Sequence, residues 1–222
     1  MRSAFVIPIA YLLGSVPFGY LIVRVTQRAD IRETGSGGTG ATNVSRRAGK
    51  GAGVLTLVLD ALKGASAVAV ASVILGLPVF AVNGNSSLSQ VANGGDIENA
   101  HWWIAGAAIA AIVAHIFPVW LGFRGGKGVA TGVGVFIMLA PLAVAFAAVV
   151  FVVIVLLTRY VSLGSIVAAA TIPLFVLMWN YVTPRADFPP LLSTAITGAA
   201  LIIFAHRGNI ERLIMRSESK YS

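Results

Sequence analysis

The 222-residue chain contains no cysteine, so disulfide bonds, thiolate metal ligands and a cysteine nucleophile are all excluded. Charge is scarce as well: only 11% of residues are charged, and just 8 are Asp or Glu. No G-x-S-x-G marks a serine hydrolase, and no internal repeat supports a transporter built from duplicated halves. What is abundant is apolar sequence, 57% of the chain with a mean hydropathy of +0.87, more than a water-soluble domain of this size carries. The fold class implied is all-α integral membrane, with 1–222 a single polytopic membrane domain, because each helical span consumes about 20 residues.

Apolar stretches at 4–23, 53–82, 102–121, 129–141, 142–158, 161–182 and 190–206 predict about seven transmembrane helices. The first lacks a clear small-residue cleavage site and reads as a retained span. The fourth and fifth are separated at Pro141 by a charge argument: Arg124 and Lys127 precede the pair and Arg159 follows it, so the chain must cross twice if both ends face the same side. On this topology all of the 16 Lys and Arg residues except Arg2 and Arg185 lie on or near one face. The N-terminus is then outside and the C-terminus cytoplasmic, with Asn83–Asn99 and Thr183–Pro190 as solvated connectors on the far face. The net charge of +8 is accounted for by this bias and by attraction to anionic lipid, so no nucleic acid partner is expected.

Two glycine-rich basic segments collect on the cytoplasmic face. The first runs Gly35-Ser36-Gly37-Gly38-Thr39-Gly40-Ala41-Thr42-Asn43 and is followed by Arg46, Arg47 and Lys50. It matches G-x-G-x-x-G formally, but membrane helices flank it and no βαβ unit exists to hold a dinucleotide. What survives is phosphate chemistry: close backbone N–H groups, the hydroxyls of Ser36 and Thr42, the Asn43 amide and arginine countercharge. A flexible loop with ordinary basic bias is the alternative. The second reads His115-Ile116-Phe117-Pro118-Val119-Trp120-Leu121, then Arg124-Gly125-Gly126-Lys127-Gly128. It is not a Walker A sequence, since Gly follows Lys127. At a helix start, Lys127 and several free N–H groups would converge on one anion, helped by the helix dipole. His115 reads either as a ligand or base, or as a structural hydrogen-bonding residue near a helix end.

Two further segments share that face. Ser162 and Ser165, three apart, would lie together at the start of the sixth span and donate to a phosphate or acyl oxygen, or bond back to their own helix. His206-Arg207-Gly208-Asn209-Ile210-Glu211-Arg212 starts where the last span ends, with His206 the best-placed neutral base and Arg207 and Arg212 available to an anion. Asp60 and Lys63 fall inside the second span at pairing distance, as a functional or a structural ion pair.

Through Gly35–Arg46, Asp60–Gly64, His115–Thr131, Ser162–Ser165 and His206–Glu218 the chain resembles the PlsY family of bacterial acyl-phosphate:glycerol-3-phosphate acyltransferases. The resemblance implies seven helices in the cytoplasmic (inner) membrane with a cytoplasm-facing site. The reaction implied is transfer of a fatty acyl group from acyl phosphate to sn-glycerol 3-phosphate, giving 1-acyl-glycerol 3-phosphate and phosphate, the first acylation of phospholipid synthesis. It also implies no cofactor or metal, and no direct requirement for acyl-CoA or acyl-carrier protein. Membrane lipids are the expected surroundings. Ser36, Arg46, Lys127, His206 and Asn209 are the catalytic candidates. Gly37, Gly40, Thr42, Asn43, His115, Gly125, Gly126, Gly128, Ser162, Ser165, Arg207, Arg212 and Glu218 are the substrate-binding ones. Departures are Gly38 where the family commonly has Asn, Gly122 and Arg124 in place of lysines, and Arg216 at a position often held by Gly. The rival class is a small-anion (phosphate) transporter or channel, which would place charge toward both faces or through the bundle; a noncatalytic lipid-binding scaffold is the other.

Overall fold

The computed structural model describes residues 2–77 and 94–221. Its helices are α1 (Val6–Ser15), α2 (Phe18–Gln27), α3 (Ala41–Ala48), α4 (Lys50–Ile74), α5 (Gly94–Ile116), α6 (Val129–Leu139), α7 (Pro141–Thr158), α8 (Val161–Val182), α9 (Phe188–Ala205) and α10 (Arg207–Ile214). No strand occurs among the described residues. The protein is an all-helical integral membrane protein, and among the described residues six helical segments are long and apolar enough to cross a bilayer: Ser3–Gln27, Lys50–Ile74, Asn99–Leu121, Pro141–Thr158, Val161–Val182 and Phe188–Ala205. The remaining predicted segment is α6, whose 11 residues rise only about 16 Å, roughly half of a hydrocarbon core.

Proline sets several boundaries. The first apolar segment is two helices, because Pro17 removes a donor and the chain breaks at Val16–Pro17. The expected division near Pro141 is present, with Ala140 alone between α6 and α7. Pro118 stops α5 short of the predicted 121, leaving a 3₁₀ turn over Val119–Leu121. At its other end α5 begins at Gly94, so residues 94–99 are helical and not part of the connector expected over 83–99; residues 83–93 lie outside the described residues. The second span ends at Ile74, before the predicted 82, of which 78–82 also lie outside them.

Small residues let the helices close. A Cβ on Gly14 would sit 2.6 Å from Ala111 Cα, and one on Gly64 or Gly134 would overlap the backbone carbonyl of Thr131 or Ala61. In lipid, where apolar burial between helices gains little, such close van der Waals approach is what holds α1 to α5 and α4 to α6. Ala107, Ala108, Ala111 and Ala114 of α5 are fully buried in the centre. By contrast α7 shows Val149, Val152, Leu156 and Leu157 outward, a face suited to acyl chains. The bundle gathers the starts of α3, α6, α8 and α10 around one cavity.

Candidate active site

The first wall of the cavity is the loop between α2 and α3. Gly35 and Gly37 have φ of 57° and 69°, a left-handed backbone that costs glycine nothing. Asn43, in the first turn of α3, holds this loop: its Nδ2 donates to the carbonyls of Ile31 (3.2 Å), Thr34 (3.0 Å) and Gly38 (2.9 Å), and its Oδ1 accepts from Ser36 N at 3.4 Å. The amide expected to face a ligand is therefore spent on the loop itself. Arg32, paired with Asp30 at 2.7 Å, also donates to Leu121 O at 3.2 Å and ties this loop to the next.

The second wall is the turn between α5 and α6. Gly125 N donates to Ile116 O (3.1 Å) and Gly126 N to His115 O (3.0 Å). This corrects the expectation of free N–H groups at these two glycines: they cap the end of α5, whose last carbonyls otherwise lack partners. A Cβ on Gly126 would overlap His115 Nε2, so the His115 ring is the floor on which the turn rests. Gly128, with φ of 80°, starts α6, and the unpaired first amides of α6 open on the cavity through Gly128, Val129 and Ala130. Lys127 is half-buried beside them. Burial lowers its ammonium from the usual 10.5 to about 8, with Glu218 working against the shift and Arg212 and Arg46 adding to it.

The remaining walls come from α8, the α9–α10 junction and the tail beyond α10. Ser165 Oγ bonds back to Val161 O at 2.9 Å, whereas Ser162 Oγ donates to Glu218 Oε1 at 2.8 Å. Asn209 Nδ2 reaches the same oxygen at 2.7 Å, and Arg212 Nε reaches Oε2 at 2.7 Å. Burial works to raise the Glu218 carboxyl, but these three donors outweigh it and hold it below its ordinary value. The tail is further fixed by Tyr221 N to Arg159 O (2.8 Å) and by Arg46 Nη2 to Ser219 O (3.5 Å). His206 Nδ1 lies 2.8 Å from Ile202 O. A carbonyl only accepts, so Nδ1 carries the proton and Nε2 is left as a base. Burial lowers the His206 imidazole to about 4, partly opposed by that hydrogen bond, which keeps the ring neutral at physiological pH.

The cavity so enclosed measures about 350 Å³. Of the sequence candidates, Ser36, Gly40, Thr42, Asn43 and Arg46 line it from the first loop and α3; His115, Gly126, Lys127 and Gly128 from the second; and Ser162, Ser165, His206, Asn209, Arg212 and Glu218 from the rest. Gly37, Gly125 and Arg207 do not line it. Gly37 shapes the loop, Gly125 lies against His115 O and Pro118, and the Arg207 guanidinium stacks on Phe204 at 4.7 Å. Leu57, Phe151 and Val161 form apolar wall that motif reading missed, although Leu57 shares a helical face with Asp60. Asp60 is also in the wall. It is buried with Lys63 Nζ 2.9 Å and His115 Nδ1 3.7 Å from its Oδ1, while Lys63 Nζ donates to Val16 O at 2.7 Å, across the break in the first span. His115 Nδ1 is 3.0 Å from Thr131 Oγ1. Three cations and the positive ends of α3, α6 and α8 thus face one space with a neutral base and a few apolar residues, an arrangement that can bind anions and assist attack by a hydroxyl.

A family model for glycerol-3-phosphate acyltransferase matches residues 4–216. Relatives of that name include one from Syntrophotalea carbinolica, 43% identical over 96% of this chain and 94% of its own length, and one from Gloeobacter violaceus, 44% identical over 95% and 91%. Two solved structures superpose over the whole chain and 96% of their own: crystal structures of PlsY, an integral membrane glycerol 3-phosphate acyltransferase, in its glycerol 3-phosphate form (TM-score 0.82, 36% identity) and its lysophosphatidic acid form (TM-score 0.79, 35% identity).

Proposed function

Since the chain belongs to the glycerol-3-phosphate acyltransferase family, we propose that this acyltransferase moves a fatty acyl group from acyl phosphate to the primary hydroxyl of sn-glycerol 3-phosphate. The products are 1-acyl-sn-glycerol 3-phosphate and inorganic phosphate. The supporting observation is the composition of the cavity's lining: Arg46, Lys127 and Arg212 and three helix N-termini, together with the apolar Leu57, Phe151 and Val161. Both reactants carry phosphate, so the cations and backbone dipoles offset their repulsion. Leu57 and Phe151 would guide the donor chain toward lipid, where each buried methylene contributes roughly 0.8 kcal/mol.

Acyl phosphate is already activated, and direct attack suffices. The glycerol oxygen bonds to the acyl carbon, the bond from that carbon to the phosphate oxygen breaks, and phosphate leaves with both electrons. Lys127 and Arg46 stabilise the charge on it. The hydroxyl proton passes to His206 Nε2 or to a substrate phosphate, with Ser36 and Asn209 beside the reacting groups. A neutral imidazole of pKa about 4 is a weak base, so it serves by position, and an approaching dianion strengthens it. With the N-terminus outside and the cavity end cytoplasmic, a bacterial inner membrane would present the site to soluble glycerol 3-phosphate.

Purified protein with palmitoyl phosphate and glycerol 3-phosphate should release lysophosphatidic acid and phosphate in equal amounts, without acyl-CoA. Absence of both products, or trapping of an acylated serine during turnover, would refute this reading.

A further inference from the structure

Two carboxylates line the cavity, Asp60 and Glu218, and they differ in what they still need. Glu218 is saturated by Ser162, Asn209 and Arg212. Asp60, 1% exposed, has an ion-pair partner in Lys63, yet its Oδ1 receives no hydrogen bond of good geometry. The Lys63 ammonium gives its short bond to Val16 O, and His115 Nδ1 is engaged with Thr131. An ionised carboxylate accepts only and offers several lone pairs, so beside the Lys63 ammonium 2.9 Å away this buried group still has room for a well-aligned donor.

A reactant in the cavity can supply that donor. If the reaction is the one proposed above, acyl phosphate offers mainly acceptor oxygens, whereas glycerol 3-phosphate offers two hydroxyls. One hydroxyl reacts and gives its proton to His206 Nε2 or to a substrate phosphate. The cations and helix N-termini serve phosphate oxygens and cannot accept the second. We propose that the Asp60 carboxylate accepts the hydrogen bond of the non-reacting sn-2 hydroxyl, which makes Asp60 a specificity-determining residue for acceptors that carry a vicinal diol beside the phosphate. The contact rests on the acyl-transfer reading and adds to it the means of choosing the acceptor.

The test compares glycerol 3-phosphate with propane-1,3-diol monophosphate, which keeps the phosphate and the reacting hydroxyl and lacks the other. The wild type should prefer glycerol 3-phosphate by roughly 10²-fold in kcat/KM, since a site built to bond a hydroxyl rejects the analogue without it. Replacing Asp60 alone would strand the Lys63 charge in the bilayer, so the variant is Asp60→Leu with Lys63→Met. Its preference should fall to within about threefold, whatever its absolute rate. Equal use of both acceptors by the wild type overturns the assignment even if the variant does not fold. Full preference retained in a folded variant overturns it too. Failure of the wild type to acylate either acceptor is a different result: it removes the parent reaction, and this contact with it.

Discussion

The segment from Ile31 to Asn43 is braced from within: one side-chain amide, on Asn43, ties the carbonyls of Ile31, Thr34 and Gly38 together. The turn from Arg124 to Gly128 is braced from beneath, by the last carbonyls of α5 and by the His115 ring under Gly126. Both are rich in glycine and both border the cavity, yet glycine serves them differently. In the first, Gly35 and Gly37 supply left-handed backbone; in the second, Gly125 and Gly126 supply clearance. A self-tied loop keeps its shape while its neighbours move. A turn seated on a helix end inherits every displacement of that helix, and Lys127 moves with it.

The largest effect should follow from removing the cation that the seated turn carries: Lys127→Ala is expected to lower kcat by about 10³-fold or more. Its thermal midpoint should hardly change, because a half-buried charge is being removed; phosphate release and a melting curve together check this. Asn43→Ala should come next, with activity down roughly 10²-fold and a lower melting temperature, since three carbonyls lose their donor. Asn43→Asp should be no better, because a carboxylate cannot donate to carbonyls; a near-normal Asp variant would break the picture of a loop tied by its amide. Gly126→Ala pushes a methyl group onto His115 and should cost roughly 10- to 50-fold in turnover through misplacement of Lys127, while Gly40→Ala, where a Cβ meets nothing within 4 Å, should keep the fold.

The pH profile sharpens the contrast further. Lys127, at about 8, loses its proton as pH rises through that value, two to three units earlier than a free lysine. Activity limited by its charge should therefore drop about tenfold for each pH unit above 8 in kcat/KM. Bound phosphate favours the ammonium, so the same limb in kcat should lie at higher pH. His206, at about 4, is neutral above that value and should leave no limb between pH 5 and 7. The smallest effect is expected for Arg207→Ala, within about threefold of the parent, because Arg207 stacks on Phe204 away from the cavity; a large loss would return it to the site.

Hydropathy made the helices legible, and bracketing charges on either side of Pro141 made the α6–α7 division legible, because lipid imposes length and sidedness on a chain directly. The cavity lining was legible as a list of segments, since topological bias explains Arg and Lys at one face of an apolar bundle but not the Gly and His among them. Partnership was not. Nothing in the residues around Asn43 says that its amide will be used up by Ile31, Thr34 and Gly38, or that the Gly125 and Gly126 amides will close α5. Those pairings depend on where the backbone turns. The approach of Asp60 to His115, 3.7 Å apart, joins α4 to α5, and only the packing of Gly64 and Gly134 between α4 and α6 brings the floor of the cavity together. The break at Val16–Pro17 was hidden because an interrupted apolar run and a continuous one have the same hydropathy.

One stretch of the cavity wall, Glu218 and Ser219, is made after every membrane helix. The wall lent by the helices therefore keeps one side open until Glu218 meets Ser162, Asn209 and Arg212. A pull on this stretch that parted those contacts would leave the bundle intact and the enzyme silent.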